Sequence, residues 1–279
     1  MDLSTLVGLI FGIASLLIGF TMEGGTLGAL LQITAAMIVF GGTIGAVVIS
    51  FPAGTLKKIP FITKYAFVNR PNDPGETIGQ LIDLANISRR EGLLALEGEQ
   101  ERFSDDPFMT NGIRMVVDGM DSDVIDDILN RDIELYENKI LSFGKMYQEA
   151  GGFSPTMGII GTVMGLVHVL GNLSNPSSLG PSIAVAFIAT LYGVASANVI
   201  FLPIYNKIKA NLDKDVLIRQ IKAEGILSIQ YGENTLVLRQ KLFAFLSADE
   251  RQRAEVYLNE RGNGEQVQNN HYREVGSHE

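Results

Sequence analysis

Thr162 and Thr190 lie in a stretch of 57 residues, 150–206, that contains no Asp, Glu, Lys or Arg. Each stands beside a ridge of small residues, Gly161 and Gly165 for the first, Ala189, Gly193 and Ala197 for the second. A hydroxyl in such a place can present its oxygen to a partner helix or to water without exposing charge. It can equally close on the carbonyl four residues back in its own helix. His168 is the histidine of this stretch, and as a lone one it reads as a hydrogen-bonded packing residue rather than a relay. No carboxylate falls within an apolar run. Ions crossing by way of this chain therefore need a carboxylate from another one.

The other candidates lie in charged segments. Asp118, Asp121, Asp123, Asp126, Asp127 and Asp132 could bind a divalent cation or perform acid–base work, but no His or substrate-shaped motif accompanies them, and they read as a solvated acidic face. Zero Cys and three scattered His argue against a metal site, and no catalytic cluster points to an enzyme or to a cofactor. Ser88 to Glu97 places Arg89, Arg90 and Glu97 at the two ends of an apolar patch. On one continuous helix Arg90 and Glu97 would fall within about 20° of one face and Arg89 about 80° away. These charges are either a solvated face or an electrostatic docking surface.

The elements that position these residues follow from apolar length. A spanning helix needs about 20 apolar residues, so the charge-free stretch suits two crossings, at 155–171 and 182–201, separated by the turn formers of 172–181. Residues 1–56 contain no Lys or Arg and hold two further runs, 3–22 and 26–51. The acidic start and span-length first run read as a retained helix rather than a signal peptide. All 22 Lys and Arg lie between the second and third runs or after Asn206. Lys57, Lys58, Lys64, Lys139, Lys145, Lys207 and Lys209 thus place both termini and the long segment in the cytoplasm. The net charge of −9 argues against a nucleic-acid partner.

The expected fold is an all-α membrane protein with four transmembrane helices and an α-helical cytoplasmic domain. Its segments are spans 1 and 2 at 1–51, a cytoplasmic helical domain at 52–149, spans 3 and 4 at 150–206, a helical extension at 207–261 and a disordered polar tail at 262–279. Within the long segment, turn-rich 69–76 precedes a helix with its stripe at Ile78, Leu81, Ile82 and Ala85. Leu129, Ile133, Tyr136, Ile140, Phe143 and Tyr147 alternate steps of four and three, the seam of helices packed at a shallow angle. This seam leads through Gly151 and Gly152 into the third span, predicting one long helix or two nearly collinear ones.

The run Gly152-Phe153-Ser154-Pro155-Thr156-Met157-Gly158-Ile159-Ile160-Gly161-Thr162-Val163-Met164-Gly165-Leu166, together with residues 186–198, resembles the signature of the MotA/TolQ/ExbB proton-channel family. The four-span layout, residues 88–97 and Val116-Val117-Asp118-Gly119 resemble its flagellar stator branch. The resemblance implies a multi-pass inner-membrane subunit that couples inward proton or sodium flow to torque. It implies a homo-oligomer, a ring of five such chains around a dimer of a MotB-type single-span partner that supplies the ion-binding aspartate. It further implies a pore role for Thr190, with Thr162 beside it, and conformational prolines at Pro155 and Pro203. Rotor contacts to the switch complex (FliG) fall on Arg89 and Glu97, with Arg90 adjacent. Pro155 suits a helix start, whereas Pro203 frees the carbonyl of Val199 and should kink its helix. An energising subunit of the TolQ/ExbB type would use the same core with three spans and the opposite N-terminal orientation.

Overall fold

The computed structural model describes residues 3–68, 73–171 and 176–275, with side chains described for 7–68, 73–171 and 179–261. Among the described residues the chain is helical and contains no strand. Helix α1 spans Leu3–Met22. Helix α2 covers 33–50, with a π turn, Met37–Gly41, between α-helical Ile33–Ala36 and Gly42–Ser50. Then come α3 (Ile59–Phe67), α4 (Pro74–Glu91), a 3-10 segment (Leu93–Phe103), α5 (Pro107–Val117) and the 50-residue α6 (Ser122–Gly171). Helix α7 covers 176–230, with a second π turn at Ala197–Phe201, and is followed by α8 (Thr235–Phe243) and α9 (Ala248–Val275). Leu27–Ser50, Ser122–Gly171 and Leu179–Gln230 each contain a stretch long and apolar enough to cross a membrane, and Val7–Met22 is a shorter apolar helix.

Several elements depart from the sequence expectations. The turn formers expected before the fourth run divide between residues 172–175, which lie outside the described residues, and the start of α7, which already includes Pro181. Half of the expected turn at 69–76 also lies outside them, at 69–72, and Pro74 already opens α4. Pro155 sits inside α6 rather than at a helix start. It frees only the carbonyl of Gly151, a loss the rest of a 50-residue ladder tolerates. Pro203 lies two residues beyond the π turn Ala197–Phe201, whose Ala197 carbonyl accepts from the Leu202 amide. The stretch from Ser88 to Glu97 is not one helix, because Gly92 ends α4 at φ 88° and ψ 165°. Few residues other than glycine adopt that conformation. The backbone remains helical to Val275, where the polar composition suggested a disordered tail.

The chain divides into two compact units, 1–69 with 138–212, and 70–137 with 213–279. The first therefore gathers 52–69, 138–149 and 207–212 with the apolar helices. In it, α2 packs on α7 through Ala35, Val39, Ile188 and Ala189, and the Phe40 and Tyr192 rings stack 5.9 Å apart. Tyr192 donates its hydroxyl to the Leu30 carbonyl and accepts from the Gln32 amide at 3.2 Å. Asn211 donates to the Tyr65 carbonyl at 3.0 Å, tying α7 to α3. The outer faces stay apolar, as at Phe11, Met37, Ile159, Val163 and Phe187, and such a continuous surface needs lipid or partner helices to cover it.

The second unit is built on an aliphatic core that includes Leu81, Leu84, Leu96, Met109, Ile113, Ile125, Ile221 and Ile226. Its helices start on side-chain caps. Asp73 accepts from the Gly75 amide at 2.8 Å ahead of Pro74, and Asp106 from the Met109 amide at 3.2 Å ahead of Pro107. Ser247 and Glu250 form a reciprocal capping box at the start of α9. The seam read from sequence is buried at Leu129 and Ile133 in this unit and at Ile140 in the first. Tyr136 donates to Asp215 at 2.8 Å and lies beneath the Arg219 guanidinium, which pairs with Asp132 at 2.9 Å.

Candidate functional site

Helices α6 and α7 cross on small residues. A Cβ built on Gly193 would lie 2.5 Å from the Ser154 carbonyl oxygen and 3.1 Å from Gly158 Cα, and one on Gly158 would lie 2.9 Å from the Ala189 oxygen. Further along, Gly161 meets the Ala189 methyl and Gly165 the Ala186 methyl, each at 2.6 Å from the built atom. Only glycines allow this approach. Close backbones are what hold membrane helices together where hydrophobic burial cannot. Ala197 is buried in the π turn, and the Ser154 and Ser196 hydroxyls bond across the crossing at 2.6 Å.

Thr162 and Thr190 meet on this crossing. Their hydroxyls contact each other, and Thr162 Oγ1 also lies 3.2 Å from its own Gly158 carbonyl and 3.0 Å from the Ala186 carbonyl of α7. Thr190 Oγ1 approaches the Gly158 carbonyl of α6 at 3.5 Å. Each threonine thus reaches the carbonyl four residues back from the other, and both are half-buried. The group holds four oxygens and only two protons. One arrangement has Thr190 donating to Thr162 and Thr162 donating to Ala186. Lone pairs then remain for an incoming donor or cation. His168 is exposed on α6.

Sequence reading singled out the two threonines and Gly161, Gly165, Gly193 and Ala197, but not Gly158, Ala186, Ser154 or Ser196. The signal was available: Ser154, Gly158, Gly161, Thr162 and Gly165 recur at steps of three and four along one helical face.

In the second unit, Arg89 and Arg90 are exposed in the last turn of α4, where cations complement the helix dipole, and Glu97 is exposed on the 3-10 segment. With Gly92 between them, the wheel angles of a continuous helix do not apply. Arg90 borders a polar cavity of about 480 Å3 with Asp83, Asn86, Glu99, Arg102 and Arg261, a lining that does not include Arg89. Asp83 pairs there with Arg102 at 3.5 Å and with Arg261. Arg89 is thus the arginine presented apart from this network. Of the six acidic residues at 118–132, three have side chains engaged with neighbours: Asp121 accepts from the Asp123 amide, Asp126 accepts from Asn130, and Asp132 pairs with Arg219. Among the described residues no three His, Asp or Glu side chains gather as a metal site.

Residues 100–221 match the MotA/TolQ/ExbB proton channel family, and residues 6–92 match the motility protein A N-terminal family. Motility protein A of Bacillus subtilis (strain 168) is 36% identical over 252 residues, which cover 90% of this chain and 93% of the relative. Chemotaxis protein PomA of Vibrio alginolyticus is also 36% identical, over 90% of this chain and 98% of its own length. A chain of the flagellar MotAB stator complex from Bacillus subtilis superposes with a TM-score of 0.84 at 35% identity, covering 90% of this chain and 98% of that one.

Proposed function

The chain belongs to the MotA/TolQ/ExbB proton channel family and is a stator subunit of the bacterial flagellar motor, and from that premise we propose how it converts ion flow to torque. It is a membrane protein of the inner membrane, with four spans (α1, α2 and the apolar parts of α6 and α7) and both termini in the cytoplasm. Five copies ring a dimer of a MotB-type partner, whose single span supplies the aspartate that this chain lacks. Protons, or sodium ions, enter from outside and neutralise that aspartate against the Thr162/Thr190 group. They leave inward, and each neutralisation changes which subunit of the ring the aspartate prefers. A charge crossing the membrane releases about 2.3 kcal/mol per 100 mV, several times thermal energy, so one ion per step biases direction. Arg89, Arg90 and Glu97 meet complementary charges of the switch complex (FliG). Pro155 and Pro203, each freeing a backbone carbonyl on one of the crossing helices, let α6 and α7 flex as the ring steps.

One observation carries this reading: an acceptor-rich hydroxyl pair on a crossing whose flanks hold no carboxylate. Such a surface favours a protonated acid or a cation brought by another chain. Replacing Thr190 with Val keeps the shape and removes the oxygen. Stator-dependent ion flux in vesicles should fall by about tenfold, the weight of one hydrogen bond to a charged group. Undiminished flux in the Val variant refutes the pore role.

A further inference from the structure

Helix α3 (Ile59–Phe67) closes one side on protein and leaves the other open. Ile62, Tyr65 and Ala66 are buried, whereas Phe61 is 46% exposed, and Lys64, three residues on, is its neighbour on the open side. Lys57 and Lys58, which lead into the helix, are exposed as well. Among the described residues no ion pair or hydrogen bond engages any of these three ammonium groups. The surrounding sequence is one-signed: residues 24–72 contain no Asp or Glu, in a chain whose net charge is −9. A local excess of unpaired cations on an acidic protein favours an anionic partner.

The contacts of α3 fix its depth. Thr63 shares a hydrogen bond with Tyr147 of α6, Phe61 meets the Phe143 ring edge-on at 6.4 Å, and Asn211 of α7 donates to the Tyr65 carbonyl at 3.0 Å. Phe143 and Tyr147 precede Ala150 by seven and three residues, and Asn211 follows Asn206 by five. Along the helix axes these contacts therefore lie about 5–10 Å beyond the ends of the charge-free stretch 150–206. The polar layer on each side of a bilayer is about 5–8 Å thick. Helix α2 agrees with this level, since its apolar run reaches Ser50 and only residues 51–58 separate it from α3. The three lysines thus stand where lipid phosphates are. We propose that α3 rests on the inner leaflet and gathers anionic phospholipid there, with Lys57, Lys58 and Lys64 on the phosphates and Phe61 among the headgroups. The proposal rests on the spans and the cytoplasmic side proposed above. Held in this way, α3 ties the inner ends of α6 and α7, the helices that carry Thr162 and Thr190, to the headgroup layer.

Energy transfer in proteoliposomes of the whole complex tests it. The chain has no Trp, so Phe61→Trp adds one donor, whose signal is read against the wild-type complex. The acceptor is trace phosphatidylglycerol or trace phosphatidylcholine, each with the same pyrene-labelled acyl chain, in phosphatidylcholine vesicles. Transfer to phosphatidylglycerol should exceed transfer to phosphatidylcholine, and high salt should weaken the preference. Lys57→Gln, Lys58→Gln and Lys64→Gln should each lower the enrichment about fivefold, the weight of one lysine near an anionic surface, and the triple variant should abolish it. Equal transfer to the two lipids, or a preference that survives the triple variant, overturns the proposal. Transfer to neither lipid also overturns it and would mean that protein covers α3. Should Phe61→Trp not assemble, Ile59→Trp reports from the same helix, where Ile59 is 37% exposed. The chain has no Cys, so labelling of Lys64→Cys by an impermeant maleimide from the outer side would instead refute the cytoplasmic placement, a separate failure.

Discussion

Gly193→Ala tests whether the α6–α7 crossing is as close as its geometry requires. The added methyl would sit 2.5 Å from the Ser154 oxygen, 3.1 Å from Gly158 Cα and 3.2 Å from Pro155 Cα. All three are backbone atoms and cannot rotate away. Ordinary packing needs about 3.5 Å, so the helices must part by roughly 1 Å at this level. Overpacking of that kind costs about 1–3 kcal/mol. Alanine also recovers about 1 kcal/mol of helix propensity, which would mask part of the loss. Gly152→Ala in α6 removes that ambiguity, since nothing lies within 4 Å of its built Cβ and only the propensity gain remains. The difference between the two variants is then the overpacking itself, on the order of 2–4 °C per kcal/mol for a chain of this size. Thermal melting of the detergent-purified complex measures it, and swimming radius measures the consequence for the Thr162/Thr190 pair about one turn away. Equal melting temperatures for Gly193→Ala and Gly152→Ala would refute the close crossing and the register built on it.

Three further outcomes follow from other parts of the chain. Charge reversal at Arg89 or Glu97 should abolish swimming with membrane assembly intact; normal torque from both variants would refute the rotor-facing assignment. Gly92→Ala forces alanine to φ 88°, at a cost of about 1–3 kcal/mol, and should speed amide exchange through 88–97 while leaving α6 protected; unchanged exchange would mean that the α4 end is not strained. Lys241, donating to Glu233 at 2.9 Å, holds that carboxyl below its usual 4.5, and Glu233 in turn raises Lys241 above 10.5. The carboxylate's contribution is complete above about pH 4.5 and is lost as pH falls through the lowered value, while the lysine's is complete below about 10.5 and is lost as pH rises through the raised one. Glu233→Gln should therefore lower the melting temperature at neutral pH and converge with the wild type in acid, and a gap independent of pH would contradict the pairing.

Much of this was legible because apolar periodicity is dictated by burial. The runs in 1–56 and 150–206, and the seam from Leu129 to Tyr147, each appear as helix in the structure. Local rules failed where a long helix absorbs a breaker: Pro155 and Pro181 read as boundaries, yet each removes one hydrogen bond from a ladder that continues past it. Gly92 failed in the opposite sense. A glycine within a helical pattern does not announce a positive φ, and the charges on either side were placed on one wheel.

The Thr162/Thr190 group was half legible, because residue type is in the sequence and register is not. Two antiparallel helices joined by a short connection can slide by a turn without changing which residues are small. The structure supplies the missing register: Ser154 opposite Ser196, Gly158 opposite Gly193, Gly161 opposite Ala189 and Gly165 opposite Ala186. Each step of three or four residues up α6 is matched by a similar step down α7, so one fixed pair fixes the rest. That register sets Thr162 against Thr190, and it also brings Gly158 and Ala186, the residues four back from each, within reach of the opposite hydroxyl. A slip of one turn would leave each threonine only its own helix's carbonyl, the bond that Thr162 already makes to Gly158 at 3.2 Å. The glycine contacts are thus what turn two ordinary mid-helix hydroxyls into a shared acceptor surface, and a variant that loosens them should cost ion flux before it costs assembly.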